Sequence, residues 1–392
     1  MTLEIPHSDY YRFAQKFSVE DQAMLAQLRT FLNDRVAPRV NDLWAKEEFP
    51  YDLVQPLADM GLFGLAFKDS KHYHGDAFFR GWVSFEIAKV DASLATFLGV
   101  QAELSTGSIA LCGSSEQVRE WIPRLTDGST IASCGITEPG SGSDTARGMQ
   151  TTAKREGDSW VLNGQKRWIG NATWADICVI WARDVEDNQV KGFIVPTDTP
   201  GFTATKIVNK QSLRIVQNAD IVLDNVRVSD DLKLANGNSF ADLSRVLKGT
   251  RTQNGWFAAG VQAGAFELAL DYAREREQFG KPIASYQMIQ DLLVKSLGNL
   301  TASLSMMARL AELTNAGERV DEQAALAKAY TSSRARETVS WCRELFGGNG
   351  IDLGYGIARF FGDAEAVHTY EGTREMNTLI VGRDITGIGA FQ

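Results

Sequence analysis

The sequence contains few cysteines and few histidines, four of each among 392 residues. The cysteines are scattered and form no Cys-x-x-Cys pair, which disfavours a disulfide framework or a zinc-thiolate site and is typical of a reducing compartment. His72 and His74 share one loop, but two imidazoles alone do not complete a metal site. We therefore expect a cytoplasmic protein without a bound metal.

Long apolar runs and targeting segments are also lacking. No stretch approaches the ~18 apolar residues that cross a bilayer. Residues 1–6 have neither a basic region nor an apolar stretch, and the last three residues are not the peroxisomal Ser-Lys-Leu. The net charge of -9 disfavours nucleic acid and anionic membranes as partners. We expect no membrane span, and an ordinary soluble composition long enough for two or three domains.

Hydrophobic spacing changes character along the chain. Up to about residue 130 it is helical, beginning with a predicted N-cap at Ser18. From 131 to 235 the period falls to two. In this part, apolar residues flank Asn163-Gly164, a pair that tolerates positive φ and therefore predicts a β-hairpin.

Helical spacing returns from 236 to 392, where Gly347-Gly348 predicts the end of one long helix. The order helices, strands, helices predicts an α+β fold that is mainly α. We place an N-terminal helical domain at 1–130, a middle β-domain at 131–235 and a C-terminal four-helix bundle at 236–392.

Five segments carry residues suited to binding or catalysis: 137–144, 166–171, 274–280, 345–350 and 369–373. Glycines allow backbone amides to face a phosphate, arginine pairs with phosphate in a bidentate fork, and a turn carboxylate can serve as a general base. Each segment also has a purely structural alternative. These are a Gly/Ser loop, a tryptophan covering a core, a charged helix end, a helix cap and a solvated loop acid. No serine or cysteine triad can be assembled.

Taken together and in this order, the five segments resemble the acyl-CoA dehydrogenase and acyl-CoA oxidase superfamily. The likeness runs from about residue 20 to the C-terminus. It is strongest to the glutaryl-CoA dehydrogenase-like branch and the short-chain acyl-CoA oxidases, through the segments 166–171, 369–373 and 382–387. The resemblance implies the helix–β–helix architecture, bound FAD, and a homotetramer built as a dimer of dimers.

The resemblance also assigns residues to the FAD site and the thioester cleft. Within one subunit, FAD contacts fall on Cys134, Ile136, Thr137, Gly142, Ser143, Trp168, Ile169, Gly170 and Thr373. The residues assigned to the FAD of a neighbouring subunit are Arg276, Gln278, Phe279, Gln287, Glu344, Leu345, Gly347 and Gly348. The thioester cleft is assigned to Ser143, Arg251, Tyr370 and Gly372.

Glu371 takes the catalytic role that the resemblance implies. Burial against flavin and acyl chain raises a carboxyl pKa and makes it a stronger base. Glu371 would remove the α-proton while hydride passes to flavin N5, giving a trans-2-enoyl-CoA. The enolate oxygen would accept hydrogen bonds, one of them from the amide of this Glu.

Two departures bear on the substrate and the electron acceptor. Glutaryl-CoA dehydrogenases carry a Glu and an Arg where this sequence has Ala88 and Ala95, so we expect a short, monocarboxylic acyl-CoA. Gly170 stands where many dehydrogenases have Thr or Ser. Molecular oxygen and electron-transfer flavoprotein therefore both stay open as the electron acceptor. The alternatives are therefore a short-chain acyl-CoA oxidase, then a glutaryl-CoA dehydrogenase, then a non-catalytic CoA-binding scaffold.

Overall fold

The computed structural model describes residues 7–390. The segments 1–6 and 391–392, on which the expectations about a leader and a peroxisomal address rest, lie outside the described residues. Between residues 7 and 390, none of the helices combines the length and apolar character that a membrane crossing requires.

The N-terminal part is helical, as predicted. Ser18 caps the first helix: its Oγ accepts a hydrogen bond from the Asp21 N–H at 3.1 Å, and the Asp21 carboxylate accepts from the Ser18 N–H. The helices are α1 (Val19–Phe31), α2 (Val40–Lys46), α3 (Val54–Asp59), α4 (Ala77–Val90), α5 (Ala92–Leu98), α6 (Gly107–Cys112) and α7 (Ser115–Thr126), with π-helical turns at Leu32–Val36 and Gly99–Thr106. Because the second π-helical segment joins α5 to α6 without a break, residues 92–112 form one continuous helix, called the 92–112 helix below.

A mixed β-sheet follows. Its strands are β1 (Ala132–Gly135), β2 (Thr152–Glu156), β3 (Ser159–Ile169), β4 (Ile177–Asp184), β5 (Val190–Pro196), β6 (Phe202–Lys206) and β7 (Ala219–Ser229). The hydrogen-bonded order is β1-β4-β2-β3-β7-β6, and β5 pairs with β4. β1 and β2 both run parallel to β4, while β3 lies antiparallel to β2 and β7. The predicted middle β-domain is therefore present.

The predicted hairpin at Asn163-Gly164 is wrong. Both residues lie inside β3, and the chain reverses earlier, around Gly157. Gly164 has a φ of 150°, and a Cβ on it would come within 2.6 Å of the Thr151 backbone. The glycine thus permits a close backbone approach beside a β-bulge, which is the other common reason for glycine within a strand.

The C-terminal part is a helical bundle, as predicted. Its elements are α8 (Phe240–Glu275), β8 (Glu277–Gln278), β9 (Lys281–Pro282), α9 (Gln287–Asn315), α10 (Asp321–Leu345), α11 (Ile357–Thr369) and α12 (Arg374–Thr386). Short 3-10 turns lie at Phe13–Lys16, Tyr51–Leu53, Asp230–Leu232, Ile283–Ser285, Gly347–Ile351 and Leu353–Tyr355. α8 packs against α4, α9, α10 and α11.

The long helix α8 brings the three parts together. One apolar cluster joins Trp82 of α4, Phe257 of α8 and Met307 of α9, so the N-terminal helices and the bundle share a core. A second cluster joins Leu125 of α7, Val179 of β4 and the first turns of α8. The three parts therefore meet along the first half of α8. The boundaries at 130/131 and 235/236 stay predictions.

Candidate active site

Glu371 lies in the short turn between α11 and α12. Glu371 and Gly372 both have a backbone φ in the left-handed region, 57° and 84°. For a glutamate this conformation costs ~1–3 kcal/mol and persists only where surrounding contacts enforce it. Strained residues of this kind concentrate at functional sites, so the backbone itself points to a functional role for Glu371.

Lys328 holds the turn from the protein interior. Its buried ammonium, on α10, donates to the His368 carbonyl at 2.8 Å and to the Gly372 carbonyl at 2.7 Å. Asn377 of α12 donates to the same Gly372 carbonyl at 2.8 Å. Burial lowers the pKa of Lys328 to about 8. The backbone on both sides of Glu371 is therefore tied to two helices.

The Glu371 carboxyl points toward α8. Its Oε2 accepts a hydrogen bond from Thr250 Oγ1, and Arg251 is the next residue of the same helix. Burial raises the pKa of Glu371 above its ordinary value, while the hydrogen bond from Thr250 and the positive charges of Arg251 and Lys328 oppose that rise. A partly exposed carboxyl with a raised pKa has the properties of a general base.

The turn offers free hydrogen-bond donors beside this carboxyl. Within residues 7–390 the backbone N–H groups of Glu371 and Gly372 donate to no acceptor. The Tyr370 hydroxyl is hydrogen-bonded to Thr96 of the 92–112 helix at 3.1 Å. The turn therefore contacts the N-terminal helices and keeps two amides available for a ligand oxygen, as an oxyanion site requires.

A buried ion pair shapes the loop that follows β1. Lys166 of β3 donates to Glu138 at 2.9 Å and to the Ile136 carbonyl at 3.1 Å. Glu138 also accepts from the N–H groups of Gln150 at 2.6 Å and Thr151 at 2.9 Å. Both ends of the 137–150 loop are thus attached to one internal carboxylate.

The predicted loop residues stay accessible. Gly142 and Ser143 are exposed, and Thr137 is partly exposed. A Cβ at Gly140 would meet no atom within 4 Å, so open space borders the loop backbone there. The loop can therefore present amides and hydroxyls to a phosphate.

Trp168 closes this region from the end of β3. It has a φ of 66°, which is rare for a bulky residue, and 51% of its surface is exposed. Ile169 and Gly170 behind it are buried, and a Cβ at Gly170 would lie 3.0 Å from Val100 of the 92–112 helix. An exposed flat ring on a rigid strand end is suited to covering a planar ligand.

The structure brings most of the residues assigned to one subunit's site into one region. Arg167 N donates to the Thr137 carbonyl at 2.8 Å, which joins the Trp168 segment to the loop. Burial raises the pKa of Cys134 on β1, and the negative charge of Glu371 adds to that rise. Thr373 caps α12 by accepting from Met376 N at 3.3 Å.

The residues assigned to a neighbouring subunit's FAD form a separate group. Arg276, Gln278 and Gln287 are exposed, as are Glu344, Gly347 and Gly348, and Phe279 is 94% exposed. Tyr272 stacks on Phe346 at 4.0 Å, which holds the end of α8 against the end of α10 beside the buried Leu345. At 1.5 Å per residue, Arg276 lies ~37 Å along α8 from Arg251. One chain alone does not unite the two groups.

Sequence reasoning missed Thr250, Lys328 and Asn377. Thr250 and Lys328 lie on helices remote in sequence from the Thr369–Thr373 motif, so the motif alone could not identify them, whereas Asn377 lies four residues beyond the motif on α12. One feature of the sequence could have identified Lys328: it is the lone cation on a face of alanine, serine and threonine residues in α10. A charge on such a buried face needs partners, although their identity depends on the fold.

Ala88 and Ala95, at the positions that separate this chain from glutaryl-CoA dehydrogenases, are fully buried. Neither lines the cavity between α4, the 92–112 helix and α8, which was not predicted from the sequence and whose lining includes Arg80, Glu103 and Gln253.

Comparison with known protein families gives a consistent result over nearly the whole chain. The N-terminal domain of acyl-CoA dehydrogenase matches residues 18–129. The middle domain matches residues 133–226, and the C-terminal domain matches residues 240–386.

Individual relatives agree with the family matches. A probable acyl-CoA dehydrogenase of Bacillus subtilis is 30% identical over 372 residues, covering 93% of this chain and 98% of that protein. Glutaryl-CoA dehydrogenase from Mycobacterium smegmatis superimposes with a TM-score of 0.94 at 35% identity, covering 99% of this chain and 100% of that chain. Another structure of glutaryl-CoA dehydrogenase from that organism is a complex with FADH2, with a TM-score of 0.94 at 33% identity and the same coverage. Butyryl-CoA dehydrogenase from Megasphaera elsdenii gives 0.89 at 28% identity, covering 94% and 98%.

Proposed function

The chain belongs to the acyl-CoA dehydrogenase family of oxidoreductases, and on that premise we propose that it converts a short, monocarboxylic acyl-CoA to the trans-2-enoyl-CoA with FAD as cofactor. One observation carries the proposal. Glu371, a carboxyl with a raised pKa, occupies a strained turn anchored by Lys328 and directed at Thr250. That arrangement is suited to removing a proton from carbon.

The residues present fit FAD. Exposed glycine backbone and the hydroxyls of Thr137 and Ser143 suit the phosphates, while Trp168 and Gly170 offer a flat wall. The set that would hold it within one subunit is Cys134, Ile136, Thr137, Gly142, Ser143, Trp168, Ile169, Gly170 and Thr373. Bound FAD supplies a two-electron acceptor for the hydride that leaves the β-carbon.

The chain's own residues handle the proton and the thioester oxygen. Burial makes ionised Glu371 a stronger base, and Thr250 keeps its carboxylate directed into the cleft. The free N–H groups of Glu371 and Gly372 are placed to donate to the thioester carbonyl oxygen, which acidifies the α-carbon next to it. Ser143, Arg251 and Tyr370 complete the proposed cleft.

The subunit arrangement and the electron acceptor are further parts of the proposal. The exposed group at the end of α8, with Phe279 94% exposed, would contact FAD in a neighbouring subunit of a homotetramer built as a dimer of dimers. We propose electron-transfer flavoprotein as the acceptor. Mixing reduced enzyme with oxygen in a stopped-flow instrument tests this, because slow reoxidation supports the flavoprotein and fast reoxidation identifies an oxidase.

The proposed reaction is tested with Glu371→Gln, which keeps the size of the side chain and removes the base. We expect the variant to remain folded and yellow while enoyl-CoA formation from butyryl-CoA, assayed with an artificial acceptor, falls at least ~100-fold. Glu375→Gln is the matched control, since Glu375 is exposed on α12 one turn beyond. Equal activity of the Glu371→Gln and Glu375→Gln proteins would refute the proposal.

A further inference from the structure

A cavity of about 20 Å3 lies between α4, the 92–112 helix and α8. Leucine, valine and alanine side chains make up most of its lining. The polar exceptions are Arg80 and Ser84 of α4, Glu103 of the 92–112 helix, and Gln253 of α8. A small, largely apolar cavity with a few polar side chains has the composition of a ligand pocket.

This cavity lies just beyond the Glu371 cleft. Gln253 follows Thr250 by three residues on α8, so the two side chains occupy the same face one turn apart. On the opposite wall, Thr96 contacts Tyr370, and Glu103 lies about two turns further along the same helix, ~10 Å away. Gln253 reaches across toward Gly99, where a Cβ would lie 3.0 Å from its Oε1. An acyl chain that ran from Glu371 along these two helices would therefore end at the cavity.

Glu103 faces the cavity without a partner. Among residues 7–390 its carboxyl has no hydrogen bond and no ion pair. Arg80 lines the same cavity but donates to the His74 carbonyl. Burial raises the pKa of Glu103, and the nearby charge of Arg80 lowers it. Glu103 is partly exposed to this cavity, and a carboxyl that a bound chain cuts off from water is energetically costly unless that chain supplies a donor.

Both size and charge restrict what this cavity can hold. A volume of about 20 Å3 accommodates roughly one water-sized group. A hydroxyl or an ammonium has that size, whereas a carboxylate is larger and would be repelled by Glu103. A methyl group would fit but would leave the carboxyl of Glu103 unpaired.

We propose, on the premise that the proposed function is correct, that this cavity receives the distal end of the acyl chain and that Glu103 selects a hydrogen-bond donor there. The substrate class is then an acyl-CoA whose terminal carbon carries a hydroxyl or an ammonium. Gln253 positions the chain as it passes from the cleft, and Arg80 balances the charge of Glu103. The same arrangement disfavours a glutaryl group at this end.

The test measures kcat/KM of the FAD-loaded, full-length enzyme for 5-hydroxypentanoyl-CoA, 5-aminopentanoyl-CoA, hexanoyl-CoA and glutaryl-CoA, with butyryl-CoA as the reference. We expect one of the two donor substrates to exceed hexanoyl-CoA at least ~10-fold, because a site built for a hydrogen bond rejects an analogue that lacks the donor. In Glu103→Leu the ratio of kcat/KM for that donor substrate to kcat/KM for hexanoyl-CoA should fall at least ~10-fold. Glu120→Leu, which removes a charge from the exposed face of α7, should keep the wild-type ratio.

Glu103→Gln separates the two donors and provides a variant closer in shape to the wild type. The amide still accepts a hydrogen bond from a hydroxyl but no longer attracts an ammonium, so only a preference for the amino substrate should be lost. The inference is wrong if butyryl-CoA is oxidised but hexanoyl-CoA or glutaryl-CoA exceeds both donor substrates. It is also wrong if Glu103→Leu leaves the ratio unchanged. If none of the five thioesters is oxidised, the proposed function itself fails and the inference fails with it.

Discussion

Thr250 is expected to control the pH at which Glu371 becomes a base. The Glu371 carboxylate accepts a hydrogen bond from the Thr250 hydroxyl, and that bond counteracts the rise in pKa that burial causes. Thr250→Val removes the hydroxyl with little change in shape. Because the base must be ionised to act, kcat/KM rises with pH through the pKa of Glu371. Raising this pKa therefore moves the acidic limb of the profile to higher pH.

The size of the shift follows from the geometry. A hydrogen bond to an ionised group contributes about 1.5–3 kcal/mol, which corresponds to about one to two pKa units. Two features reduce this shift in the pKa of Glu371. Protonated Glu371 can donate to the Thr250 oxygen, while the Thr250 proton then goes to the Leu247 carbonyl, 3.0 Å away. Glu371 is also partly exposed to the cleft, where water screens the interaction. We therefore expect a rise of about one pKa unit.

The assay is the pH dependence of kcat/KM for butyryl-CoA in wild type, Thr250→Val and Thr250→Ser. The serine variant keeps the hydroxyl and should retain the wild-type profile. At pH values well above the limb, kcat/KM of Thr250→Val should become independent of pH, as in wild type, because both bases are then ionised. An acidic limb that stays in place or moves to lower pH in Thr250→Val would refute the reasoning.

Three further substitutions test other parts of the structure. Lys328→Met leaves the His368 carbonyl without its buried donor and the Gly372 carbonyl with the donor from Asn377, so chemical denaturation should show a free energy of unfolding lower by about 2 kcal/mol, with reduced turnover as the turn loosens. Lys166→Met isolates the carboxylate of Glu138 and should lower that free energy by about 3 kcal/mol, with weaker FAD retention measured by absorbance. Burial raises the pKa of Asp363 from 3.8 to about 7, so the stability gained by keeping this acid neutral is complete below 3.8 and is lost as pH rises toward 7. Thermal denaturation between pH 5 and 8 should therefore show a smaller decline for Asp363→Asn than for wild type.

Exposed residues provide the controls for these three variants. Lys154→Met removes a lysine whose side chain is 63% exposed in its ion pair, and it should change stability by no more than ~0.5 kcal/mol. Asp52→Asn removes an exposed acid and should leave the decline with pH as it is in wild type. A Lys328→Met or Lys166→Met protein as stable as Lys154→Met would contradict the assigned contacts. An Asp363→Asn protein with the wild-type slope would contradict the buried neutral acid.

The helical parts of the fold were predictable because their signals are local and repeated. Leu300, Leu304 and Met307 recur at helical spacing and are buried in α9, and the Ser18 capping box requires only residues three apart. The hairpin failed for the opposite reason. Asn163-Gly164 has the local features of a turn, but the close approach of the Thr151 backbone determines the role of Gly164. A two-residue pattern contains no information about which other segment of the chain will lie against it in the folded sheet.

The candidate site likewise contains residues that a local motif identifies and residues that only the folded structure brings together. Glu371 and its neighbours occur in one contiguous motif, so the resemblance was sufficient to propose them as site residues. Thr250, Lys328 and Glu103 acquire their roles only when α8, α10 and the 92–112 helix pack around that motif. Glu103 in particular belongs to no motif in the sequence, and its importance depends on a cavity that forms between three helices.

The central claim is that the carboxylate of Glu371 removes the α-proton of the bound thioester. Anaerobic mixing of FAD-loaded enzyme with butyryl-CoA and with its α-deuterated form, followed by loss of the flavin's visible absorbance, tests this most directly. We expect that deuteration slows the loss of absorbance in wild type and that Glu371→Gln shows almost no loss with either thioester. Loss of absorbance in Glu371→Gln at the wild-type rate, with the wild-type isotope effect, would contradict it.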